Sequence, residues 1–114
     1  MKKIFPTDEI ESELSKSEMF VSNNELGKSR VCARKAAGLA LRYWLENKML
    51  LNETISPFQA IELFYEKADA PPDIHQTAGL LLRKVDQNYN FPDYINLINE
   101  AKKIIIFVKS QFED

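Results

Sequence analysis

Residues 29–45 read SRVCARKAAGLALRYWL. At 100° per residue, Ala33, Ala36, Ala37, Ala40, Leu41, Tyr43, Trp44 and Leu45 cover well over half the circumference of a helix. Cys32 and Leu39 widen that arc. A surface helix carries a narrower apolar stripe, so this segment is expected at the centre of a bundle, against two or more neighbours. Its alanines let a partner approach toward the low end of the ~8–10 Å interaxial range, and a bulky residue at Ala37 is expected to overpack the contact. Lys28, Lys35 and Arg42 recur every seven residues and form a ridge on the remaining polar wedge. Arg30 and Arg34 lie on the flank of the apolar arc, where a guanidinium needs a partner or must snorkel to water. They are expected to hold structure or to line a pocket at the helix start.

Outward from this helix, spacing by three and four continues and strand signals are scarce. A first helix is expected from about residue 8 to 20, capped by Thr7, with Asp8, Glu9 and Glu11 at its positive end and a stripe of Ile10, Leu14 and Met19 or Phe20. The central helix follows over about 25–48, with Asn24 as its cap. Ser56, Pro57 and Gln59 spell a capping box with proline at the first position. Behind them Ile61, Phe64, Tyr65 and Ala68 share a face. A fourth helix opens at Asp73, with Gln76 three residues on, and carries Ile74, Ala78, Leu81 and Val85. The last, from about 93 to 112, shows a heptad seam of Tyr94, Ile98, Ala101, Ile105, Val108 and Phe112. Short links favour antiparallel neighbours. The expected fold is therefore all-α, an up-down antiparallel bundle of four main helices plus one shorter helix, in a single domain over residues 1–114.

The chain has 114 residues and is 45% hydrophobic, enough for a core. A net charge of −2 argues against a general polyanion binder without excluding a local basic patch. Cys32 is the only cysteine, so no intrachain disulfide and no cysteine-based zinc cluster is expected. The N-terminus has no apolar core behind its lysines, and no apolar run approaches the roughly 20 residues of a membrane span. The expected location is the cytoplasm, away from membranes. None of the three glycines sits in a phosphate-loop pattern. No cofactor and no metal is expected.

Charge is unevenly divided. Residues 8–18 carry Asp8, Glu9, Glu11, Glu13 and Glu18 against Lys16, whereas residues 25–48 carry Lys28, Arg30, Arg34, Lys35, Arg42 and Lys48 against Glu25 and Glu46. One reading lays the acidic first helix over the basic second. The other turns the Lys28, Lys35 and Arg42 ridge toward RNA phosphates or an acidic partner.

The segment KSRVCARKAAGLALRYWLENK (28–48) resembles the second helix of HEPN domains, with a basic, alanine-rich start and an aromatic end. LINEAKKIIIFVKSQF (97–112) is similar to the closing helix of that family, and SPFQAIELF (56–64) falls where those proteins carry a further helix. The resemblance spans nearly the whole chain through alanine and leucine patterning. It implies a small helical bundle, often dimeric. Within that family some members are metal-independent ribonucleases of toxin–antitoxin systems. Others bind nucleotides or nucleic acid, or pair with a nucleotidyltransferase. The nuclease members carry an arginine a few residues ahead of a histidine. Here His75 is the only histidine, and Ala68, Asp69 and Ala70 stand where the arginine belongs. The nuclease activity is therefore not carried over.

The remaining chemistry is thin. His75 is the weak catalytic candidate, as a general base working with Arg83 or Arg34. Cys32 reads as a packed thiol, Tyr43 and Trp44 as core. Ile95 and Ile106 lie off the seam of the last helix, which points to a homodimer through that surface. Three functions follow as expectations: a non-catalytic HEPN-like module binding protein or nucleic acid; a ribonuclease or nucleotide-handling enzyme with an altered site; or an adaptor bundle recognised through the last helix.

Overall fold

The computed structural model describes residues 4–48, 51, 53–83 and 96–112. Five α-helices run through them: α1 (Thr7–Ser22), α2 (Leu26–Asn47), α3 (Pro57–Lys67), α4 (Pro72–Leu82) and α5 (Leu97–Phe112). No strand occurs among the described residues. The all-helical expectation holds, and the second helix ends within one residue of the expected bounds at each end.

Helix ends follow local chemistry. At α3 the Ser56 hydroxyl accepts from the Gln59 amide (3.1 Å) and the Gln59 side chain accepts from the Ser56 amide (2.9 Å), the capping box read from sequence. The other caps need correcting. Thr7 lies inside the first turn of α1, whose N-cap position is Pro6 and has no side-chain cap. Pro71 occupies that position ahead of α4, so Asp73 falls within the first turn. Asn24 closes α1 and does not open α2. Its φ is 59°, a left-handed conformation that asparagine tolerates. Around it the Glu25 amide donates to Phe20 O (2.7 Å) and the Asn24 amide to Val21 O (3.0 Å). That pair of bonds is the Schellman ending of a helix, here with Asn in place of the usual Gly.

α2 is the spine. Ser29, Ala33, the run from Ala36 to Leu41, and Tyr43, Trp44 and Leu45 are buried, as the wide apolar arc requires. Trp44 meets Phe64 of α3 edge-on (5.2 Å between centroids), and Tyr43 sits between Phe5 and Phe112 at 5.1 Å from each. Such pairs contribute about 0.5–1.5 kcal/mol beyond area burial. Tyr43 and Trp44 are core residues, each 7% exposed.

Small residues set the closest approaches. A Cβ on Gly38 would overlap the backbone carbonyl of Pro57 and stand 2.6 Å from the proline Cβ. Glycine is required there because α3 begins against the α2 backbone. Between α1 and α2 the Ser17 hydroxyl donates to Ser29 O (2.7 Å) and lies 3.0 Å from Ser29 Oγ, fully buried.

These contacts give the helix directions. Phe5 meets Tyr43 and Ser17 meets Ser29, so α1 runs against α2. Pro57 lies on Gly38 and Phe64 on Trp44, so α3 runs with α2. The strict up-down alternation expected from short links is thus broken between them. Thr54 shares a hollow with Tyr43 and Glu46, and Arg42 Nη1 donates to Ile55 O (3.1 Å). The link therefore returns along α2 before α3 starts. α4 runs against α2, since Leu81 reaches Arg34 while His75 reaches Tyr65. α5 runs with α2, since Lys102 reaches Glu18 and Phe112 reaches Tyr43.

Two inward faces take in more residues than their expected stripes. In α5 the buried set is Leu97, Ala101, Ile104, Ile105 and Val108, while Ile98 and Phe112 are half-buried. α5 packs on both α2 and α4, so its buried arc is wider than a heptad seam. In α1 Ile10 is buried and Leu14 half-buried, and of the two expected continuations Phe20 is half-buried while Met19 is 50% exposed; Glu13 and Ser17 are inner positions as well. Val85, Tyr94 and Ile95 lie outside the described residues. Ile106 is 67% exposed, as its off-seam position predicts.

Candidate functional site

The two flank arginines have different surroundings. Arg34 aims its guanidinium at the end of α4: Nε donates to Leu81 O (2.7 Å) and Nη2 to Arg83 O (2.6 Å). The last carbonyls of a helix lack intrahelical donors and carry partial negative charge, so a cation docked across them ties α4 to α2. Burial, and after it the charge of Arg30, pulls the Arg34 guanidinium below its ordinary value. It stays charged at neutral pH. Arg30 is half-buried beside it.

The ridge is engaged along its length. Lys28 pairs with Glu25 (3.0 Å) and stands over the Phe20 ring at 5.7 Å. Lys35 reaches Glu13 of α1 at 3.5 Å. Arg42 is half-buried and holds the returning link through Ile55 O. The Lys35 bridge is the contact expected if the acidic first helix lies over the basic second.

Glu13 is the node of that contact. Only 7% exposed, it is shared by Lys35 and by Lys16 at 3.4 Å, and its charge also acts on the Cys32 thiol. Burial, then the Glu13 charge, push the thiol pKa up. A thiol so placed is protonated at neutral pH and a poor nucleophile.

His75 is exposed. Its ring stacks on Tyr65 at 4.2 Å and 9°, and Nε2 lies 3.1 Å from Tyr65 O. The proposed partners are elsewhere: Arg34 binds Leu81 and Arg83, six to eight residues along α4, a rise of roughly 9–12 Å. His75, Arg34 and Arg83 do not converge. Among the described residues no three His, Cys, Asp or Glu side chains gather as metal ligands would.

What the fold does assemble is a groove of about 320 Å³ between α2 and the start of α3, lined by Val31, Arg34, Lys35, Ser56, Pro57 and Phe58. Gly38 admits Pro57, the capping box fixes Ser56, and Phe58 then faces outward, 40% exposed, near Val31 at 60%. Both cations on its wall were singled out from sequence, Lys35 for the ridge and Arg34 for a pocket. Val31 and Phe58 were not. The available signals were a β-branched residue interrupting the charged start of α2 and a phenylalanine placed at the second helical position by Ser-Pro. Two further hollows, of about 270 and 300 Å³, lie on the other side of Lys35 and at Tyr43, and carboxylates line both.

The class this defines is an all-helical protein with an apolar, cation-walled groove on its central helix, and no described helix long and apolar enough to cross a membrane. No protein family, no curated protein and no solved structure matches the chain.

Proposed function

We propose that this chain is a non-catalytic, HEPN-like helical module that acts by binding another polypeptide at the α2–α3 groove. The carrying observation is the groove itself, with Val31 and Phe58 exposed across a cleft of about 320 Å³. Apolar side chains gathered around a concavity mark partner sites more often than scattered ones do. The HEPN likeness belongs to this proposal and rests on residues 28–48 and 97–112. Within it, a nucleotidyltransferase is the kind of partner the resemblance implies.

Two observations favour polypeptide over RNA. The groove wall is mainly apolar, formed by Val31, Pro57 and Phe58, whereas a nucleic-acid strand needs a row of cations that follows its phosphates. Ser56, the neutral polar side chain on the groove wall, is committed to its cap. Self-association through α5 fits less well. Ile106 sits among Lys102, Lys103 and Lys109, and a two-fold contact centred there would set lysine rows against each other.

An NMR titration tests the reading. A short peptide carrying leucine and phenylalanine anchors shifts the backbone amides of Val31 and Phe58. Oligo-uridine RNA does not shift them and is not cleaved. RNA cleavage abolished by His75→Ala would overturn the proposal in favour of an enzyme with an altered site.

A further inference from the structure

We infer that the occupant of the α2–α3 groove is an acidic polypeptide segment that inserts one or two large apolar side chains, an inference that rests on the polypeptide-binding reading above. Size is the first argument. A cavity of about 150 Å³ holds a benzene-sized group, so the groove of about 320 Å³ has room for one or two ring-sized side chains. Val31, Pro57 and Phe58 give them an apolar wall.

Charge is the second. The ionisable side chains lining the groove are Arg34 and Lys35, both cationic, and no carboxylate is among its lining residues. Lys35 keeps a 53% exposed side chain while bridging to Glu13. Lys28 lies seven residues back on the same ridge, about 10 Å along the helix, and is 66% exposed. An apolar segment bordered by Asp or Glu meets complementary charge at the mouth, and one bordered by Lys or Arg meets repulsion. The chain as a whole is acidic, at −2, so this positive mouth is local.

The third argument separates a peptide from a compact anion or a base. The start of α3 adds a positive helix end, but its capping box already closes the Ser56 and Gln59 amides, and Pro57 has none. No fan of amides remains to cradle a phosphate. A nucleobase seated on Phe58 would bury its polar edge against apolar atoms, an unfavourable transfer. The groove grips by apolar contact first and by charge second. Its walls are set in advance by the Gly38–Pro57 contact and the capping box, which reduces the ordering needed on binding.

The experiment compares two peptides of about twelve residues, a length that spans such a groove, with identical leucine and phenylalanine positions. Glu and Asp fill the remaining positions in one and Lys in the other. Oligo-uridine RNA is the third probe. Binding is read by fluorescence anisotropy at low and high salt and located by amide shifts. The acidic peptide is expected to shift Val31 and Phe58 and to bind at least about ten-fold more tightly than the basic one, an advantage that shrinks as salt screens the charges. The double variant Val31→Ser, Phe58→Ser should lose about ten-fold in affinity or more, with an unchanged melting temperature. Lys35→Gln should narrow the gap between the peptides without abolishing binding. Equal binding of both peptides at the groove overturns the acidic occupant and leaves the polypeptide-binding reading standing. No shift at the groove with either peptide, whether or not RNA binds, overturns both.

Discussion

The two halves of α2 have opposite relations to the rest of the chain. From Ala36 to Leu45 only Arg42 is not buried, and α1, α3 and α5 pack around this half. From Leu26 to Lys35 only Ser29 and Ala33 are buried, while Leu26 is 48% and Val31 60% exposed. One helix thus serves as inner spine at one end and as outward wall at the other. The transition falls between Lys35 and Ala36, just before Gly38, where Pro57 lands and α3 begins. A spine constrains side-chain volume. Exposed wall positions such as Val31 are free to vary in stability terms and are constrained only by what they bind, whereas Arg34 on the same half is held by its clamp on α4.

That contrast is open to breaking, first at the spine. Gly38→Ala should be the most damaging single change. Its methyl overlaps the Pro57 backbone, which cannot rotate away, so about 3 kcal/mol of destabilisation is expected, at the upper end for overpacking. An unaltered thermal melt would show that α3 does not rest on α2 as described. Arg34→Met comes next. It leaves the carbonyl of buried Leu81 without this donor while the Arg83 carbonyl turns to water, for a loss of about 1–2 kcal/mol. Arg34→Lys should recover little, because an ammonium lacks the planar fork that spans both carbonyls. Equal stability of the Lys variant and the unmodified chain in urea denaturation would remove the clamp from the argument.

At the wall, Val31→Ser and Phe58→Ser should each move stability by no more than about 0.5 kcal/mol, since both are surface positions. A large drop on either would mean that the groove is part of the core. The smallest effect is chemical. Cys32 should react with iodoacetamide more slowly than a free thiol at neutral pH. Its rate should climb only at a pH above that of an ordinary cysteine, because burial and the Glu13 charge disfavour the thiolate. Glu13→Gln removes that charge and should shift the rate profile toward lower pH. A rate equal to that of free cysteine would show an unperturbed thiol.

Legibility differed by residue. The Ser56–Gln59 box could be read because it is local chemistry over four residues. The burial of Ala36, Ala37, Leu41 and Trp44 could be read because an all-round apolar arc has only one stable place. Asn24 was misjudged because a helix stop and a helix start use the same residue types two positions apart. Glu13 and Ser17 were missed as inner residues because polar side chains go inside only when a partner is waiting. Those partners, Lys35 and Ser29, are 12 or more residues away in sequence. Of the candidate site residues, Arg34 and Lys35 come together at the groove, and His75 stands apart at the other end of α4.

By itself the sequence determined that the chain is helical, where most helices begin and end, and that residues 29–45 form the centre, because these follow from periodicity, capping and side-chain volume along one segment. Only the tertiary structure decided that α3 runs with α2, that Arg34 clamps the end of α4, and that Val31 and Phe58 face each other across a groove. Each of these depends on a contact between residues far apart in the chain. No local pattern encodes which of several sterically permitted neighbours a small residue such as Gly38 will meet.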